Sequence, residues 1–133
     1  MKYRLNNQEI RDGVARLCEN FPGSYWQKCD NDQAYPKEFV DALTKEGYLS
    51  ALIPEKFGGT SLPLSAGAAI LETIHFSGCN AAACHAQMYT MGTLLRHGSE
   101  KQKAHYLPQI SRGELRLQAF GVTEPTSGTD TTS

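Results

Sequence analysis

Only one stretch of the chain alternates with a period of two, residues 115–123 (LRLQAFGVT), and nothing in the sequence offers it a partner. Leu115, Leu117, Ala119 and Gly121 fall on one side, and Arg116, Gln118, Phe120 and Val122 on the other, which is strand spacing. A lone strand leaves its backbone N–H and C=O groups unpaired and is not stable by itself. The apolar patterns before it run at helical spacing. The expectation is an all-α fold: a helical domain of about five helices over residues 1–114, then, over 115–133, the opening strand of a sheet that is not in this chain. The 133 residues suffice for roughly one domain. With 40% hydrophobic and 20% charged residues the mix is globular, which excludes a disordered chain.

The helices are read from their stripes and their punctuation. Over 6–21, Asn6 caps with Glu9 three positions later, Leu5 and Ile10 form the flanking staple, and Ile10, Val14, Leu17 and Phe21 make one stripe. Pro22-Gly23 ends it, and 23–34 reads as a loop. Pro36 suits the first turn of a second helix that carries Phe39, Val40 and Leu43 and stops at Gly47. Two prolines and Gly58-Gly59 make 52–63 a turn-rich connection, with the glycine pair relieving backbone crowding. A third helix covers 64–77 with Leu64, Leu71 and Ile74 on one side. Asn80 caps a fourth, whose stripe is Cys84, Met88, Met91 and Leu95 and which Gly98 closes. A fifth opens on Ser99 and Gln102 in capping-box positions and reaches Tyr106-Leu107 before Pro108, with Lys101, Lys103 and His105 on a solvated side and Gly113 ending the helical part.

Charge and cysteine usage narrow the function classes. Thirteen Lys and Arg against fourteen Asp and Glu give a formal net charge of -1, without the basic excess that nucleic-acid binding needs. No run approaches the roughly 18 apolar residues of a membrane span. Met1-Lys2-Tyr3-Arg4 leads into polar sequence rather than a secretion signal, so the cytoplasm is the expected location. There the four cysteines, Cys18, Cys29, Cys79 and Cys84, are expected as free thiols. Cys79 and Cys84 with His75 and His85 match no standard zinc spacing, so no metal site is expected.

The segment with chemical content is 120–130, FGVTEPTSGTD. Its hydroxyls, glycines and backbone amides at a strand end could meet phosphate oxygens or the edge of a heterocycle, with Gly128 allowing close backbone approach. The same residue types also build a plain surface turn.

V-T-E-P-T-S-G-T-D at 122–130 resembles the T-E-P-x-x-G-S-D signature of the acyl-CoA dehydrogenases. Further resemblances lie upstream in the family's order: P-E-K-F-G-G at 54–59, H-G-S-E-K-Q-K-A-H-Y-L-P at 97–108, and I-S-R-G-E at 110–114. Each motif is weak alone; the ordered set is specific. The resemblance implies an N-terminal helical domain (residues 1–114) followed by the start of the family's middle β-domain (115–133). It further implies an FAD-dependent enzyme that oxidises an acyl-CoA thioester to the 2-enoyl-CoA. In that reaction a carboxylate removes the α-proton and the β-hydrogen leaves as hydride to the flavin. Electron-transferring flavoprotein is the implied electron acceptor, and the intact enzyme is expected to be a homo-oligomer.

Site residues follow from the same resemblance. Phe120, Gly121, Val122 and Thr123 match the stretch along the flavin, with Thr123 on the pyrimidine side of the isoalloxazine. Gly128 and Thr129 match the pair at the pyrophosphate, and Thr129 also matches a position beside the CoA ester. Thr129 replaces the commoner Ser, which keeps the hydroxyl but stiffens χ1. No catalytic base is assigned, because the family's base lies far downstream. Glu124 and Asp130 are expected as turn acceptors. On the fourth helix, His85, Tyr89 and Gly92 form a face that family geometry puts along the acyl chain, with Ala81 and Ala82 leaving room; a packing face with a partly buried histidine is the other reading. Two alternatives to the dehydrogenase stay open: a flavin oxidase or monooxygenase of the same superfamily, and a non-catalytic helical interaction module. The chain alone is expected to be inactive.

Overall fold

The computed structural model describes residues 2–119 and 121–130, with side chains from residue 7 onward. Six α-helices follow in order: α1 Lys2–Cys18, α2 Gly23–Asn31, α3 Lys37–Lys45, α4 Leu64–Phe76, α5 Ala82–His97 and α6 Glu100–Ser111. Two short 3-10 turns, Tyr48–Ser50 and Glu55–Phe57, lie between α3 and α4. The fold is all-α.

The core forms where the helical stripes meet. Val14 of α1, Phe39, Val40 and Leu43 of α3, Ile70 and Ile74 of α4, Cys84 and Met91 of α5, and Leu107 of α6 are fully buried. Each such aliphatic or aromatic side chain contributes about 1.5–3 kcal/mol relative to exposure. α1 packs chiefly along α4. Arg11 joins them at the rim, pairing with Glu72 and donating to Thr73 Oγ1 at 3.4 Å.

Several expectations are corrected. α1 begins at Lys2, so Asn6 lies inside the helix and does not cap it; Lys, Tyr, Arg and Leu in the first turn are all compatible with a helix. The helix stops at Cys18, and Phe21 turns back to pack edge-on against Phe39 at 5.1 Å and Tyr25 at 5.0 Å. Residues 23–31, read as loop, are helix α2. Nothing in α2 is fully buried, so it lacks a strong stripe; Tyr25, Trp26 and Cys29, half-buried at i, i+1 and i+4, are its faint one. Trp26 Nε1 donates to the Phe21 carbonyl at 3.1 Å, and its ring stands edge-on to Tyr25 and Phe39.

α6 does not stop before Pro108 but runs through it to Ser111, and the Pro108 carbonyl still accepts from the Arg112 N–H at 3.1 Å. The missing proline N–H removes one helical bond, not the helix. Among the described residues, 115–119 and 121–123 pair with no strand; the one bridge of this region joins Glu124 and Ser127. Residues 115–119 and 121–123 therefore take no regular element, since no second strand is present among the described residues to pair with them.

Punctuation elsewhere lies where expected. Ser99 and Gln102 form a reciprocal capping box: Ser99 Oγ accepts from the Gln102 N–H at 3.2 Å, and Gln102 Oε1 accepts from the Ser99 N–H at 2.8 Å. At α5, however, the cap is shifted by one: Ala81, not Asn80, is the N-cap residue, and Asn80 Oδ1, just outside it, accepts from the Ala82 N–H at 2.8 Å. Gly58 takes a left-handed φ of 89°, and a Cβ on Gly59 would stand 2.0 Å from the Ile53 carbonyl oxygen. The turn 54–59 thereby folds flat onto α6, where Ser111 Oγ donates to the Phe57 carbonyl at 3.1 Å and Lys56 pairs with Glu100 at 3.2 Å.

Candidate functional site

Two helices and the extended segment enclose a groove of about 750 Å³. One wall is the C-terminal half of α5, with Tyr89, Thr90, Thr93, Leu94 and His97. The other is Gln102 and Tyr106 of α6, and Leu117 and Gly121 complete the lining. Gly98 sets the closed end: a Cβ there would lie 2.5 Å from the Leu94 carbonyl oxygen, so only glycine lets α6 turn off α5 this tightly.

The chemistry of this groove is that of a binder. Thr90 Oγ1 donates to the Ala86 carbonyl at 2.9 Å and Thr93 Oγ1 to the Tyr89 carbonyl at 3.0 Å, so both hydroxyl protons are committed to α5 itself. No carboxylate is among its lining residues, and His97 is the imidazole there. Among the described residues no group of three His, Cys, Asp or Glu is placed to hold a metal ion. The four cysteines are free thiols. Burial pushes the Cys84 thiol up to about 12, and burial and the adjoining Cys79 push Cys18 up to about 12 as well. These are unreactive packing groups at neutral pH.

The residues singled out from the sequence are placed as follows. Gly121 lines the groove. Val122, Thr123, Gly128 and Thr129 stand exposed beyond it. Thr123 and Gly128 come together across the turn, with Thr123 Cγ2 4.0 Å from where a Gly128 Cβ would be. Phe120 lies outside the described residues. The turn is closed by the Glu124 backbone and not by its carboxylate: Glu124 N–H donates to the Ser127 carbonyl at 2.8 Å, and Ser127 N–H donates back at 3.2 Å. Ser127 Oγ donates to the Asp130 backbone carbonyl.

On α5, Tyr89 lines the groove, but His85 does not; it is exposed and stands edge-on to Tyr89 at 5.2 Å, not partly buried. Ala81 is buried in the core. Ala82 lines a different groove, of about 700 Å³, with Trp26 and Cys29 of α2 and His75 of α4. Thr90, Thr93, His97, Gln102, Tyr106 and Leu117 were not anticipated. Their signal was available as two rows at i, i+4 spacing, Tyr89–Thr93–His97 on α5 and Gln102–Tyr106 on α6.

Comparison with known proteins agrees with this architecture. The family described as "Acyl-CoA dehydrogenase, N-terminal domain" matches residues 6–114. The chain belongs to the acyl-CoA dehydrogenase family. Glutaryl-CoA dehydrogenase of Desulfococcus multivorans is 34% identical over 132 residues, covering 96% of this chain and 33% of that protein. A solved glutaryl-coenzyme A dehydrogenase bound to glutaryl-CoA superposes with a TM-score of 0.76 at 28% identity, covering 95% of this chain and 33% of the other. The prolyl acyl carrier protein oxidase AnaB superposes with a TM-score of 0.76 at 25% identity, covering 95% of this chain and 34% of the other. The chain thus spans about a third of the length of the relatives it matches. No helix among the described residues is long and apolar enough to cross a membrane.

Proposed function

We infer that this chain is the N-terminal part, helical over 1–114 and opening a β-domain over 115–133, of a cytoplasmic FAD-dependent acyl-CoA dehydrogenase that forms 2-enoyl-CoA. One observation carries the reading. Gly121, in the segment that holds the family signature, also lines the groove between α5 and α6, so a flavin along that segment and an acyl thioester in the groove would be neighbours. FAD fits the residues present. The amides of Gly121, Val122, Thr123, Gly128 and Thr129 make no backbone hydrogen bond among the described residues and are exposed, as donors to a heterocycle edge and a pyrophosphate need to be.

In this reading Phe120, Gly121, Val122 and Thr123 lie along the isoalloxazine. Gly128 and Thr129 meet the pyrophosphate, and Thr129 also meets the CoA ester. When bound, FAD supplies a hydride acceptor. The chain's own residues orient the acyl group and exclude water; the proton-abstracting carboxylate comes from outside this chain. Acyl-CoA is the substrate, electron-transferring flavoprotein the partner, and the intact enzyme a homo-oligomer.

The test is the complete polypeptide carrying this sequence, purified and titrated anaerobically with a panel of acyl-CoA thioesters. Bleaching of a bound flavin is expected; a colourless protein that takes up no FAD overturns the reading. The 133 residues alone, mixed with FAD and acyl-CoA, are expected to show no bleaching, because no carboxylate is among the groove's lining residues. A second reading, an oxidase, is favoured by the equal fit to AnaB. Oxygen consumption on substrate addition, without another acceptor, would select it.

A further inference from the structure

Among the described residues, 115–118 have no strand partner, yet all four are half-buried. In an extended chain successive side chains point to opposite faces. Leu115 and Leu117 pack against the core. The other row is committed as well. Arg116 Nη2 donates to Asp41 Oδ1 at 2.9 Å and Nη1 donates to Thr44 Oγ1 at 3.0 Å, both on α3, and the Arg116 side chain is only 19% exposed. Thr44 Oγ1 gives its own proton to the Val40 carbonyl at 2.7 Å, so its oxygen is oriented to accept.

Two residues on, Gln118 works in both directions. Its Oε1 accepts from the Tyr35 hydroxyl at 2.9 Å, and its Nε2 donates to Gln87 Oε1 on α5 at 3.4 Å. Gln87 is fully buried, and its Nε2 has no acceptor among the described residues. Leaving a second polar atom of a buried amide unpaired would be costly, and Gln118 is the side chain that pairs with Gln87 Oε1.

We propose that Arg116 and Gln118 are positioning residues, which clamp the exit segment to α3 and α5 and fix where residues 121–130 stand at and beyond the groove. Two leucines alone would let the segment rock about the line joining them. Anchors on α3, on α5 and on Tyr35 between α2 and α3 remove that freedom. The planar guanidinium reaches Asp41 and Thr44 together, which a lysine ammonium at the same position cannot do. The inference rests on the reading above for what residues 121–130 hold, whereas the clamp itself needs no cofactor.

The test is 15N relaxation on the 133-residue chain without flavin, so its outcome is separate from that of the flavin titration. In the native chain the Leu117 and Ala119 amides are expected near the rigid-backbone order parameter of about 0.85. In Arg116→Gln and in Gln118→Ala they are expected to fall below about 0.6, with α4 and α5 unchanged. Arg116→Lys should lie between the two. The Gln87 side-chain amide resonances should shift in Gln118→Ala and stay in place in Arg116→Gln. Should Gln118→Ala unfold the chain, Tyr35→Phe removes only the outer hydrogen bond and should loosen Ala119 more than Leu115. A segment equally rigid in Arg116→Gln and Tyr35→Phe, or one already mobile in the native chain, overturns the proposal.

Discussion

Phe39, Leu43, Ile70, Met91 and Leu107 of the helical body have no exposed surface, whereas between Gly121 and Asp130 only Ser127 is even half-buried. The body excludes water from interlocking side chains, and its geometry follows from packing. The tail is shaped by a pair of backbone hydrogen bonds between Glu124 and Ser127 and by the side chains that anchor 115–118. Under the proposed function the contrast separates folding from binding: substitutions in the body should register as stability, and substitutions in the tail as affinity.

The largest break in that contrast is expected from Phe39→Ala, which empties the centre of the Phe21–Trp26–Phe39 cluster and should cost about 3–5 kcal/mol in denaturant unfolding. Alkaline pH should follow. Burial holds the Cys18 and Cys84 thiols near 12 against 9.0 in the unfolded chain, and the Tyr25 hydroxyl near 12 against 10.0. Folding therefore favours their neutral forms. That contribution is whole below about pH 9 and is lost as pH climbs toward 12, and Cys84→Ala should make the decline of melting temperature shallower.

Gly59→Ala forces a methyl against the Ile53 carbonyl and should cost about 1–3 kcal/mol, loosening the turn that backs α6. Ser99→Ala should cost about 1 kcal/mol by opening the capping box, read as a lower midpoint with an unchanged denaturant slope. At the small end, Thr123→Val and Gly128→Ala should change stability by less than about 0.5 kcal/mol. Under the proposed function both should nevertheless weaken FAD binding by the complete polypeptide, measured by titration. A large loss of stability from either would erase the distinction between body and tail.

The body was legible because its buried faces repeat at helical spacing: Phe39, Val40 and Leu43 in α3, and Cys84, Met88 and Met91 in α5. Helix α2 was not legible, because Tyr25, Trp26 and Cys29 are half-buried and no apolar run marks them. Pro108 misled because a proline removes one hydrogen bond, while burial of Leu107 and Ile110 on either side carries the helix through. Of the groove, helical spacing singled out Tyr89 and the family resemblance singled out Gly121, the latter as a flavin contact, but Gln102 and Tyr106 join it only through the close approach of α6 to α5, a tertiary effect. The clamp was invisible for the same reason: Arg116 and Asp41 are 75 positions apart.

Trp26 is the sole indole of the chain. Its ring is fastened by the Phe21 carbonyl and wedged between Tyr25 and Phe39, on the helix with the least buried surface. The molecule thus carries its own fluorescent gauge at the seam between α2 and α3, where emission would record any undocking of α2 from Phe39.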